Sequence, residues 1–159
     1  MGDTEIVMRS PSARYPYDRE TALAVGGQLK KAGLNIKVRP EEWGVFFADL
    51  KRGKMSPVYL MGQGNVWIDP YPQLEAFHST KGFLSTWSDP TLDALLESSK
   101  TAEGEGRAKV FGQALQRLHD QAGAVPLFAQ VFICGVNDRL KWKPRIDEVI
   151  WASEMGLTQ

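Results

Sequence analysis

Apolar residues recur along the chain with two distinct periods. Ile6 and Met8 alternate with polar neighbours and predict a strand over Glu5 to Arg9. A turn-rich segment, Ser10 to Tyr17, follows. Asp18 is a suitable N-cap for a helix running to about Ala32, with Gly33 just past its end. Alternation returns over Asn35 to Arg39, with Ile36 and Val38 inward. Trp43, Phe46, Phe47 and Leu50 then fall at i, i+3, i+4 and i+7, one apolar helical face that Gly53 closes. Val58 to Met61 predicts a third strand.

The second half is more helical. Asp69-Pro70 can open a helix through Leu74 and Phe77, and Asp89-Pro90 opens one with Leu92, Leu95 and Leu96 inward. A longer helix from about Gly106 to Ala122 carries Val110, Phe111, Ala114, Leu115 and Leu118. Val125 to Val136 reads as a buried strand and Asp147 to Ser153 as another. The order strand, helix, strand, helix, strand predicts an α/β fold, a parallel sheet with right-handed helical crossovers. In such a sheet, ligands sit beyond the carboxyl ends of the strands.

Composition narrows the function. The 159 residues include 19 Lys and Arg against 19 Asp and Glu, a formal net charge of zero. No basic excess exists to neutralise phosphates, so nucleic acid is excluded as an expected partner. The single cysteine, Cys134, rules out an intramolecular disulfide and a multi-thiolate metal site. Within the predicted strand it reads as a buried, inert thiol. His78 and His119 stand in no metal-ligand spacing, so no metal and no cofactor are expected. His119 lies on a polar helix flank, and His78 with Ser79 follows a helix end.

Three segments leave the carboxyl edge, and each brings aromatics: Tyr15 and Tyr17, Trp43, then Trp67. Exposed aromatics offer stacking area to sugars, peptides and other small amphiphilic solutes. Trp43 also fits its helix's apolar stripe, which favours packing over binding. Trp67 fits a ligand face and a packed loop equally well. Gly62-Gln63-Gly64-Asn65-Val66-Trp67-Ile68-Asp69-Pro70 is the most unusual stretch. Its glycines allow close backbone approach, and Gln63 and Asn65 both donate and accept. Asp69 is favoured as a helix cap over a ligand contact. Gly62 and Gly64 do not form a dinucleotide fingerprint, because Trp67 occupies the third glycine's place. The candidate binding residues are Tyr15, Tyr17, Gln63, Gly64, Asn65, Val66, Trp67 and Asp69, with no catalytic residue assigned.

The order of motifs resembles the C-terminal half of family 5 extracellular solute-binding proteins, the peptide and nickel receptors of ABC importers. The segments that carry it are Ala22 to Val38, Glu42-Trp43-Gly44-Val45-Phe46-Phe47, Leu50 to Gly53, Met61-Gly62, Asp69-Pro70, Trp87 to Leu96, Arg107, and Ala124-Val125-Pro126-Leu127-Phe128. The resemblance implies a type II periplasmic-binding-protein lobe, a mostly parallel sheet with helices on both faces. Residues 1–159 would form one domain, the second lobe of a longer two-lobe receptor. A first lobe and a signal peptide would precede it, and residues after about 125 would extend toward that lobe. It also implies a periplasmic or extracellular membrane-associated location, a small-molecule or peptide ligand, and a membrane permease as partner.

In peptide-binding members an aspartate before Asp-Pro holds the ligand's α-amino group. Val66 occupies that position here, with Asn65 beside it, and Gln63 stands where an aromatic usually follows the glycine. Val66 cannot supply the charge-assisted bond, so the departure weakens the case for simple peptides and leaves sugars, opine-like compounds, metal chelates and modified peptides open. Two other function classes stand beside this one. A small α/β hydrolase or transferase would need Asp69, His78 and Ser79 to converge. A structural or oligomerisation module would instead use the exposed aromatics as an interface.

Overall fold

The computed structural model describes residues 4–55, 57–64 and 67–158. Three parallel strands, β1 (Ile6–Ser12), β2 (Ile36–Glu42) and β3 (Val58–Tyr59), pair in the order β2-β1-β3. Helix α1 (Asp18–Lys31) links the first two strands and α2 (Trp43–Lys51) the second and third. The two-residue side-chain period sorts the strands onto two faces. Met8, Ile36 and Ala22 are buried on one face, with Ile6, Val38, Val58 and Leu60 packed around them. Phe46, Leu50 and Leu84 are buried on the other, with Tyr59, Met61 and Phe77. Helices therefore cover both faces of a parallel sheet, the α/β architecture that the alternation predicts. β3 is shorter than Val58 to Met61, although the Leu60 amide still donates to the Arg9 carbonyl at 2.8 Å.

Close approach of α1 to the sheet depends on Gly26. A Cβ there would lie 2.2 Å from Cγ2 of Val38. On the middle strand, buried Arg9 links three elements. Its Nε donates to Glu41 at 2.9 Å, Nη2 to Asp49 at 2.9 Å, and Nη1 to the Lys54 carbonyl at 2.9 Å. Pro40, which cannot donate to a ladder, lies on the edge strand β2.

Helices α3 (Pro70–His78), α4 (Pro90–Ser99) and α5 (Gly104–Asp120) enclose a second core of Leu74, Leu92, Leu96, Phe111, Ala114 and Leu118. Both Asp-Pro pairs act as helix starts. Asp69 accepts from the Tyr71 amide at 2.8 Å and Asp89 from the Leu92 amide at 2.9 Å. Each of these aspartates is also held by an arginine of α5. Arg107 grips Asp69 through two bonds of 2.6 and 3.0 Å. Arg117 reaches Asp89 through bonds of 2.9 and 2.8 Å.

Four expectations are corrected. Val125 to Val136 contains no strand, and Val125, Phe128, Val131 and Ile133 are all exposed. An apolar run becomes a strand only beside a partner edge, and no neighbouring strand reaches this one. Cys134 is consequently exposed rather than buried. Asp147 to Ser153 forms no strand either; a single 3₁₀ turn spans Ala152–Glu154. The remaining pairing is a short antiparallel contact of β4 (Leu140–Lys141) with β5 (Gly156–Leu157). Finally, Asp18 is not the N-cap of α1. Tyr17, at φ 59°, takes that place and Asp18 opens the helix itself.

Candidate functional site

The crevice opens where the chain leaves β1 and β3 on either side of the sheet's reversal in strand order. Asp18 shapes the first wall. Its carboxylate accepts backbone amides of Ala13, Arg14, Tyr15 and Arg19 at 3.1, 2.8, 3.0 and 2.7 Å. Burial alone would push this carboxyl up, but the four donors outweigh it and hold its pKa below the usual carboxylate range. The folded turn presents Tyr15, whose hydroxyl donates to the Gly62 carbonyl at 2.9 Å. Burial raises the Tyr15 pKa and keeps the phenol protonated for that bond. Gly62 fits closely under the ring: a Cβ there would lie 3.0 Å from Tyr15, so the ring would have to shift by a few tenths of an ångström.

Aromatic packing continues along the rim. The Tyr15 ring meets Trp43 edge-on at 6.1 Å, and Trp43 stacks on Phe47 at 4.9 Å. Trp43 is therefore a packing residue with one half-buried face at the crevice. The Arg14 guanidinium lies 5.1 Å from the Tyr15 centroid and 5.2 Å from that of Trp43. Among the described residues no carboxylate pairs with it, and the side chain is exposed beside the two rings. Sequence reasoning missed Arg14, although its place between the turn and two aromatics was a usable signal.

The second wall carries Gln63, Gly64, Trp67 and Asp69. Gln63 lies exposed, with Nε2 3.5 Å from Nε2 of His78. Burial lowers the His78 pKa, which leaves the ring neutral at pH 7. The Gln73 amide donates to the Gly64 carbonyl. Trp67 is 73% exposed. It borders a shallow groove of about 380 Å³ along α3, with Tyr71, Gln73, Phe77 and Phe83. Asp69 is committed to its helix cap and to Arg107, which together hold its pKa below the usual range. Tyr17 is exposed and its carbonyl accepts the Thr21 amide at 2.9 Å. Asn65 and Val66 lie outside the described residues. Tyr15 and Gly62 are thus brought together, whereas Trp67 borders the separate groove along α3. A larger hollow, about 480 Å³, lies at Leu140 to Lys143 and Glu154, and no candidate residue lines it.

No known sequence family matches the chain, and no curated protein resembles it in sequence. Solved structures do match in fold. OppA of Haemophilus influenzae in complex with RPPGFSPFR aligns with a TM-score of 0.76 at 19% identity, covering 98% of this chain and 31% of that one. The oligopeptide-binding protein AppA of Bacillus subtilis, in complex with a nonapeptide, aligns at 0.68 and 16% identity, covering 98% and 32%. This chain has the fold of a substrate-binding-protein lobe. The ABC transporter-associated periplasmic binding protein DppA of Helicobacter pylori, in complex with peptide STSA, gives 0.60 at 18% identity over 74% and 24%. The lobe fold agrees with the resemblance to family 5 solute-binding proteins. The chain spans about a quarter to a third of the length of these structures, and all three are binding proteins.

Proposed function

We propose that the chain is the second lobe of a two-lobe solute receptor serving an ABC importer, with the carboxyl edge as its half of the cleft. The observation that carries this reading is the Tyr15–Gly62 closure. It brings the loops after β1 and β3 to one rim, where Arg14, Gln63 and Trp67 stand exposed on a lobe of the matching fold. The rim offers one cation, amides and aromatic faces, which suits a peptide-like or other small polar solute with an anionic or carbonyl group. A first lobe and a membrane permease are the implied partners, in the periplasm or outside the membrane. The exposed apolar residues after 125 belong, on this reading, against that first lobe.

A hydrolase finds less support. Ser79 Oγ donates to the Glu75 carbonyl at 2.8 Å, and Nε2 of His78 faces Gln63, so the pair is not arranged as nucleophile and base. The receptor reading is tested in the full-length protein. Solute captured during purification is identified by mass spectrometry, then titrated into Trp67→Ala and Gln63→Ala variants. A loss of roughly tenfold or more in affinity, about 1.4 kcal/mol, is expected for Trp67→Ala. Unchanged affinity in both variants would overturn the site.

A further inference from the structure

We propose that Arg107 is a positioning residue for the ligand-facing segment that carries Gln63, Gly64 and Trp67. This rests on the receptor reading for its meaning, although its test does not. Arg107 lies in the first turns of α5, far from the crevice in sequence. Its guanidinium joins three helix ends. Two bonds of 2.6 and 3.0 Å reach Asp69 at the start of α3, and Nε donates to the Ser99 carbonyl at the end of α4 at 3.2 Å. The same group lies 4.7 Å from the Phe111 ring, which fixes its plane against the second core.

Asp69 is the downstream anchor of the segment. It needs only one oxygen to cap α3, and Asp89 shows the same Asp-Pro start held from the same helix by Arg117. The difference is location. Asp89 follows Trp87 and Ser88, outside the stretch of candidate residues, whereas Asp69 directly ends the stretch that presents Trp67 and the Gly64 carbonyl. The upstream end is fixed by Tyr15 on Gly62, and the middle by Gln73 on Gly64. Releasing Arg107 therefore removes the two-point hold on the downstream end, while the cap bond from the Tyr71 amide remains. A planar two-point fork is what sets the carboxylate's orientation, and a lysine supplies only a point charge.

The test is backbone and indole ¹⁵N relaxation on the 159-residue chain, comparing Arg107→Gln, Arg107→Lys and Arg117→Gln. In the unmodified chain the Gly62 and Gly64 amides are expected near the rigid value of about 0.85. In Arg107→Gln the Gly64 amide and Trp67 indole are expected to fall below about 0.6, with Arg107→Lys between. Arg117→Gln is expected to leave both unchanged while lowering the melting temperature comparably. Retained order in Arg107→Gln would overturn the proposal, as would equal loosening in Arg117→Gln or a segment already mobile in the unmodified chain. Failure of the receptor reading is distinguishable, because it is read from solute binding and this readout contains no solute.

Discussion

The hydroxyl of Tyr15 donates a 2.9 Å hydrogen bond to the carbonyl oxygen of Gly62, tying the loop after β1 to the loop after β3. Two loops 47 residues apart become one rim through this bond. Tyr15→Phe removes the donor and leaves a half-buried carbonyl unpaired, at a cost of about 1 kcal/mol. Chemical denaturation measures it, and an unchanged midpoint would mean that the rim is held by ring packing alone.

Asp18 makes the first wall sensitive to pH. Its folded pKa is held below the ordinary aspartate range by the four backbone amides, which outweigh burial. Its contribution is therefore complete above the unfolded value, near 4, and is lost as pH falls through the folded value. Asp18→Asn is expected to be less stable than the unmodified chain by about 1–3 kcal/mol at pH 7. The two unfolding midpoints should converge as pH drops from about 4 toward 2. Because Asp69, Asp89 and Asp147 keep their depressed values in both proteins, the difference isolates Asp18.

Neighbouring glycines of α1 should respond with opposite signs. Gly27 has open space at its Cβ position, so Gly27→Ala is expected to stabilise the helix by about 0.5–1 kcal/mol. Gly26→Ala gains the same propensity but drives a methyl into stiff Val38, an overpacking cost of about 1–3 kcal/mol. Thermal melts of the pair decide it. Two stabilised variants would show that the α1 contact yields easily.

Arg9 is a buried cation shared by Glu41 and Asp49. Arg9→Met is expected to cost about 3–5 kcal/mol, because Glu41 and Asp49 lose their buried partner and only the exposed Arg39 still faces Glu41. Arg9→Met with Glu41→Gln should recover part of that loss. A strictly additive double variant, measured by urea unfolding, would argue against coupling.

The elements legible in the sequence are those whose cause is local. The i, i+3, i+4, i+7 spacing of Trp43, Phe46, Phe47 and Leu50 places α2 correctly, and both Asp-Pro pairs place their helix starts. Asp18 was misread because Ser, Asn and Asp serve a helix end and a preceding turn by the same hydrogen bonds. The left-handed Tyr17 moved the start by one residue. Val125 to Val136 departs from its expected strand because an apolar run matches a strand by pattern alone, whereas strand pairing needs a neighbour. The site divides in the same way. Its aromatics and glycines were visible, but the pairs Arg107–Asp69 and Arg117–Asp89 join residues 38 and 28 apart, and no local period encodes them.

Those two pairs also constrain the lengths that evolution can permit. Arg107 and Arg117 are separated by about 15 Å of helix, and each inserted or deleted residue turns everything beyond it by about 100°. One added residue between them would swing an arginine off its aspartate while leaving the apolar composition of α5 intact. Among relatives that keep both Asp-Pro starts, residues 107 to 117 should therefore be free of gaps, however far their sequences drift.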